Sequence, residues 1–244
     1  MTELAPAIPA ATLVVMRDRP GAAPELLVVE RSAKMAFAAG AIVFPGGRID
    51  DADRDLGGDD AAKVTAIRET LEESAVAVGL GDVAAPDGPA FQAALLGGEP
   101  FAALVSRLGL TLNPAALIPF ARWRPAFVHA RIFDTMFYLA RAPAGPWQPI
   151  PQPSECAAAE WASAADLLAR IAAGTATAIF PTKRNLERLA TYADFNTAAA
   201  DAARWPTDTI TPWVEVRDGV DHVCILENVG YPVTSEPLVT AFRA

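Results

Sequence analysis

The amino-acid sequence predicts an α/β protein, and three observations carry that expectation. Runs rich in branched apolar residues, at residues 11–17 and 25–31, are bracketed by Pro and Gly and read as β-strands. Other stretches repeat their apolar residues at helical spacing, first around Val64, Ile67 and Leu71 and later at Leu186, Leu189 and Ala190. The 244 residues, 52% of them hydrophobic, are enough to bury a sizeable core.

Taken in order, residues 11–17 and 25–31 form two strands joined by a turn at Pro20-Gly21. Residues 40–43 make a third strand leading into a Phe44-Pro45-Gly46-Gly47 turn. A helix follows, with Asp59 or Asp60 able to cap its start and Gly79 able to stop it. The long spacer before it, with Leu56-Gly57-Gly58, reads as an extra loop. Residues 81–117 hold two short helical pieces broken by Gly97-Gly98 and Gly109. Two readings stay open for this insertion: a helical pair covering one end of the sheet, or a cap over a substrate.

Residues 118–124 and 132–140 are strands, the second the strongest in the chain by aromatic and apolar content. The Pro-rich stretch 143–153 is a linker too short to separate domains, so residues 1–244 read as a single domain with a helical insertion at 81–117. A strand at 155–161 precedes a helix at 164–172 that stops at Gly174. Phe180-Pro181-Thr182 starts another helix, with Thr182 as its cap. Lys183 and Arg184 in its first turn oppose the helix dipole unless an anion is near; exposed surface is the plainer reading. Residues 196–204 are a further helix, and strands at 213–216 and 222–226 join through Arg217-Asp218-Gly219.

Composition excludes several function classes. A formal charge of −9 argues against nucleic acid as a partner, because a phosphate backbone needs a basic face. No apolar run approaches the roughly 18 residues of a membrane span. The beginning of the chain lacks a basic start and an apolar core, so a cytoplasmic location is expected. Cys156 and Cys224 are too few and too scattered for a disulfide framework or a zinc site, and His129 and His222 have no partner at ligand spacing. The oligomeric state is left open, a homodimer included.

Chemistry concentrates in Arg68-Glu69-Thr70-Leu71-Glu72-Glu73. Helical spacing puts Glu69, Glu72 and Glu73 together, opposite the apolar face. Like charges three and four residues apart cost about 0.2–0.5 kcal/mol per pair. A hard divalent cation such as Mg²⁺ removes that repulsion and takes oxygen ligands. Arg68 is placed to hold one carboxylate in position.

Gly47 followed by Arg68-Glu69-x-x-Glu72-Glu73 resembles the signature of the Nudix hydrolases, G-x5-E-x7-R-E-U-x-E-E-x-G-U. Here Asp53 replaces the first Glu, the spacer to Arg68 is longer, Thr70 takes an apolar position, and Ala75 replaces the Gly after the Glu pair. The resemblance implies an α/β/α sandwich with a mixed sheet and Mg²⁺- or Mn²⁺-dependent hydrolysis of a nucleoside diphosphate linked to another moiety. It further implies Glu69, Glu73 and the Gly47 carbonyl as metal ligands, Glu72 as ligand or base, and Arg68 as a catalytic group orienting a carboxylate. Asp53 or Glu155 would be an extra ligand or the base.

Over most of its length the chain is similar to the branch that includes peroxisomal coenzyme A diphosphatase, through FPGG, RIFDT at residues 131–135 and FPTKRNLERLA. Coenzyme A-cleaving relatives carry R-S-x-x-L-R-x-H-x-G before FPGG. Arg31, Ser32 and Gly40 match it, Met35 stands in for Leu, and Ala36 and Ala38 replace the second Arg and the His. The resemblance therefore favours coenzyme A or an acyl-CoA, with Arg31, Lys34 or Arg131 binding the substrate and the insertion covering its pantetheine or acyl arm. The alternatives are ADP-ribose or a nucleotide sugar as substrate, or a sensor that binds such a conjugate without cleaving it.

Overall fold

The computed structural model describes residues 6–35, 38–125 and 132–241. Its centre is strand β1 (Ile8–Arg19), which turns through Pro20 and Gly21 into β2 (Ala22–Arg31). Gly21 takes a φ of 72°, a left-handed conformation that glycine adopts at little cost. Alternation along both strands sends Leu13, Val15 and Leu27 to one face and Val14, Met16, Leu26 and Val28 to the other. Both faces are apolar, so both must be covered.

The strand order is β3-β2-β1-β6-β5-β8, with β4 also paired to β1 and β7 to β2. Here β3 is Ile42–Val43, β4 Gly46–Arg48, β5 Ile118–Trp123, β6 Phe133–Arg141, β7 Cys156–Ser163 and β8 Thr209–Ile210. β1 runs parallel to β6 and antiparallel to β2 and β4, so the sheet is mixed. The FPGG segment is thus partly a strand rather than a turn only: Gly46 and Gly47 sit opposite Thr12 and Ala11.

One face of the sheet is covered by α2 (Ala61–Ser74), α3 (Gly88–Leu96) and α4 (Phe101–Arg107), through Ile67, Leu71 and Leu104. The other is covered by α5 (Ala164–Ala172), α6 (Phe180–Leu189) and α7 (Phe195–Ala202), through Leu167, Leu186, Leu189 and Ala198. This is the three-layer α/β/α sandwich that the sequence predicts. β9 (Trp213–Arg217), β10 (Val220–Cys224) and β11 (Ser235–Pro237) form a separate small sheet beside α8 (Leu238–Ala241). Among the described residues no helix is long and apolar enough to cross a membrane.

Several local expectations differ. The spacer read as a loop is a helix, α1 (Asp51–Gly57), followed by a 3₁₀ turn over Gly58–Asp60. Asp50 caps α1 while Asp53 accepts from the Asp50 N–H, and this reciprocal pair starts a helix despite the two glycines at its far end. α2 has Asp60 as its N-terminal flank without a side-chain cap, and it ends at Ala75 rather than Gly79. Ala75 adopts φ 59° and ψ 13°, the left-handed conformation that its usual Gly would take more cheaply. The insertion packs behind α2 and adds no residue to the cleft described below, so the covering pair is what forms and the substrate cap is not.

Candidate active site

α2 carries the acidic cluster because its opposite face is fully committed to the core. Val64, Ile67 and Leu71 are buried, and Thr70 enters the same layer by donating its hydroxyl to the Ala66 carbonyl (2.7 Å). The face carrying Glu69, Glu72 and Glu73 borders a cleft of about 510 Å³. The end of α2 is held from outside the helix. Gln92 donates to the Glu72 carbonyl (2.9 Å), and the N–H groups of Ile150 and Gln152 reach the carbonyls of Ser74 (2.8 Å) and Glu73 (3.2 Å). The stretch 143–153, read from sequence as a plain linker, therefore ties down the acidic turn.

Arg68 organises the carboxylates. Its guanidinium grips Asp53 with two bonds of 2.9 Å and reaches Glu69 at 2.9 Å and Glu72 at 3.2 Å. Asp53 is 2% exposed, and its oxygens are taken by Arg68, Thr65 and the Asp50 N–H. Burial raises its pKa, but the bonds from Arg68 and Thr65 outweigh this and hold the carboxyl below its ordinary range. Asp53 is not among the cleft-lining residues. The structure gives it the work of fixing Arg68, in place of the expected role as extra ligand or base.

Glu69 and Glu73 are in the opposite electrostatic condition. Burial pushes Glu69 up to about 7, with repulsion from Glu72 and Glu155 adding and Arg68 opposing. Glu73 is driven well above the ordinary carboxylate value by burial and by Glu69, although the Gly46 N–H donates to it at 3.0 Å. Glu155, in the turn before β7, lines the same cleft and acts electrostatically on both.

Gly47 sits hard against Glu69, so a side chain at its position would displace that carboxylate. A Cβ there would lie 2.3 Å from Oε1 and 2.5 Å from Cδ of Glu69. The donor set is entirely oxygen and carries negative charge that protein cations offset only in part, which suits a hard divalent ion. Among the described residues no three acidic side chains converge on one point, since Arg68 bridges Glu69 and Glu72 while Gly46 holds Glu73.

Arg31 and Met35 line the same cleft, and the charge of Arg31 partly offsets the upward shift of Glu73. Lys34 is exposed and does not line it, while Arg131 and His129 lie outside the described residues. Phe44, Trp123, Phe133 and Phe137 supply an apolar wall, and α6 contributes Pro181 and Thr182. Lys183 and Arg184 pair with Glu236 and do not line the cleft, so the basic first turn of α6 serves a buried ion-pair network. Sequence reasoning missed Gly46, Gln92 and Gln152 as holders of the acidic turn. Only the Gly46 contact had a signal, its place beside Gly47 in FPGG.

Comparison with solved structures finds a NUDIX hydrolase from Alicyclobacillus acidocaldarius, 31% identical, with a TM-score of 0.71, over 80% of this chain and 96% of that one. The NUDIX domain of Shewanella oneidensis NrtR, complexed with ADP ribose, is 16% identical with a TM-score of 0.43, over 68% of this chain and 78% of that one. A C. elegans Ap4A hydrolase binary complex is 17% identical with a TM-score of 0.39, over 69% of this chain and 98% of that one. No protein-family model and no curated protein matches the chain.

Proposed function

We propose that this chain, which belongs to the Nudix hydrolase family and is a pyrophosphohydrolase of nucleoside diphosphate conjugates, cleaves coenzyme A or an acyl-CoA with Mg²⁺ or Mn²⁺. One observation carries the reading. Arg31 and Met35, from the segment resembling the motif of coenzyme A-cleaving relatives, face the same cleft as Glu69, Glu72 and Glu73. The turn holding them is closed by Gly40, whose N–H donates to the Arg31 carbonyl (3.0 Å), and by the Ser32 N–H on the Glu155 carbonyl (2.7 Å).

Glu69, Glu72, Glu73 and the Gly47 carbonyl would hold the cation, which when bound neutralises the diphosphate and lowers the pKa of a water. Arg68 keeps Glu69 and Glu72 oriented and is itself anchored by Asp53. Glu72 or Glu155, both of which line the cleft, would accept the proton of the attacking water. Water adds to phosphorus, the P–O–P bond breaks, and two phosphate monoesters leave. The Phe44, Phe133 and Phe137 wall offers apolar surface to an adenine or a pantetheine arm.

The test is incubation with Mg²⁺ and, separately, coenzyme A, acetyl-CoA, ADP-ribose and NADH, with product identification. Release of 3′,5′-ADP from the first two is the expected result; cleavage of ADP-ribose alone overturns the coenzyme A reading.

A further inference from the structure

We infer that the amino terminus of α6, together with the Thr182 hydroxyl, is an anion subsite in the cleft that takes a phosphate monoester of the substrate which is not cleaved. Under the coenzyme A reading, on which this assignment of the group rests, it is the 3′-phosphate. α6 is ten residues long and begins after Ile179 with no side chain capping its first turn. Pro181 has no N–H, and the first main-chain bond into the helix is from Lys183 to Ile179 (3.0 Å). The N–H groups of Phe180 and Thr182 therefore precede the ladder, at the positive end of the helix dipole.

Thr182 is the second, independent observation. The sequence suggests it as the cap, but the helix starts two residues earlier, leaving Thr182 within the first turn. It is 2% exposed, yet its hydroxyl has no hydrogen-bond partner among the described residues. Buried threonines elsewhere in the chain behave otherwise. Thr65 and Thr70 return their hydroxyls to the carbonyls of Ala61 (3.0 Å) and Ala66 (2.7 Å). That hydroxyl is not sealed among apolar atoms; it stays accessible at the cleft Thr182 lines, where a ligand oxygen can pair with it.

The subsite is fixed relative to the acidic turn. Ala41 bridges Thr177, and the Ile42 N–H donates to the Thr177 carbonyl (2.8 Å), so the approach to α6 runs beside the segment that leads into Gly46 and Gly47. The acidic turn repels a second anion, whereas the α6 end brings the Thr182 N–H and hydroxyl to the cleft, with Arg31 lining it as well. Several convergent donors are what a phosphate dianion needs.

The experiment compares binding of 3′,5′-ADP and 5′-AMP by calorimetry, in Mg²⁺, for the wild type and for T182V and T182S, with coenzyme A turnover followed separately. The wild type is expected to prefer 3′,5′-ADP at least ~10-fold, T182S to keep that preference, and T182V to lose about tenfold of it, the order of a hydrogen bond to a charged group. The wild-type ratio alone is decisive if T182V does not fold: equal binding of the two nucleotides overturns the subsite. So does a preference that T182V leaves intact. A Thr182-dependent preference without coenzyme A cleavage supports the anion subsite and removes only its coenzyme A assignment. Coenzyme A cleavage with equal nucleotide binding overturns the subsite and leaves the substrate reading standing.

Discussion

Gly47→Ala probes the contact between β4 and α2 directly. The added Cβ would sit 2.3 Å from Glu69 Oε1, where ordinary contact begins near 3.4 Å, so the carboxylate must withdraw by about 1 Å. The obstacle is the far end of a flexible side chain rather than main chain, and the stability cost is that of mild overpacking, about 1–3 kcal/mol. The kinetic cost is larger, because a misplacement of about 1 Å at a reacting centre can lose about 100-fold in rate. Thermal unfolding in EDTA and Mg²⁺-dependent steady-state kinetics on the substrate found above separate the two effects. A folded variant with turnover down about 100-fold and a weakened Mg²⁺ response is expected. Wild-type turnover and Mg²⁺ dependence would show that Glu69 does not work from this position.

Arg68→Lys keeps the charge but loses the fork on Asp53, so thermal unfolding should show a loss of about 1–3 kcal/mol together with a clear fall in turnover; unchanged stability would refute the anchoring role. Glu73→Gln can still accept from the Gly46 N–H and removes repulsion with Glu69, so the metal-free protein should melt no earlier than wild type while turnover drops by about 100-fold or more. Near-normal turnover there sinks the assigned site. Glu187 on α6 is pushed up to about 7 by burial against the pull of Arg184 and Lys183. A carboxyl raised above its ordinary 4.5 contributes stability that is complete below that value and lost as pH rises through about 7. Melting curves from about pH 5 to 8 should therefore fall more steeply for wild type than for Glu187→Gln; parallel curves would refute the assignment.

The acidic turn was legible because it depends on one helix and one period: Val64, Ile67 and Leu71 inward place the three carboxylates together on any helix of this sequence. The β1–β2 hairpin was legible for the same reason, its branched runs and its Pro-Gly turn lying side by side in the chain. What escaped depends on residues far apart. Asp53 looked like a shortened motif carboxylate, and only the fold shows that Arg68 and Thr65 consume it. Gly57 and Gly58 hid α1, because local propensity gives no weight to the reciprocal Asp50–Asp53 contacts at its start. Gly79 was the cheaper helix stop by propensity, but the carbonyls of Glu72, Glu73 and Ser74 are claimed from residues 92, 150 and 152, and that tertiary pull ends the helix at Ala75. The insertion's side of the sheet could not be read from its own composition.

The pairing of β1 sets a timetable for how this protein comes into being. Its hairpin partner emerges at once, but its parallel partner β6 follows about 125 residues later, and the loop holding the acidic turn comes later still. A chain interrupted before residue 150 would contain Gly47, Glu69, Glu72 and Glu73 and still lack Glu155 and the main-chain bonds from Ile150 and Gln152 that hold the end of α2. During synthesis β1 and β2 must wait with open edges for β6 and β7, the stage at which sheets of high contact order are most exposed to pairing with the wrong chain. Truncated forms ending within the insertion should accordingly be recovered as aggregates rather than as small, active cores.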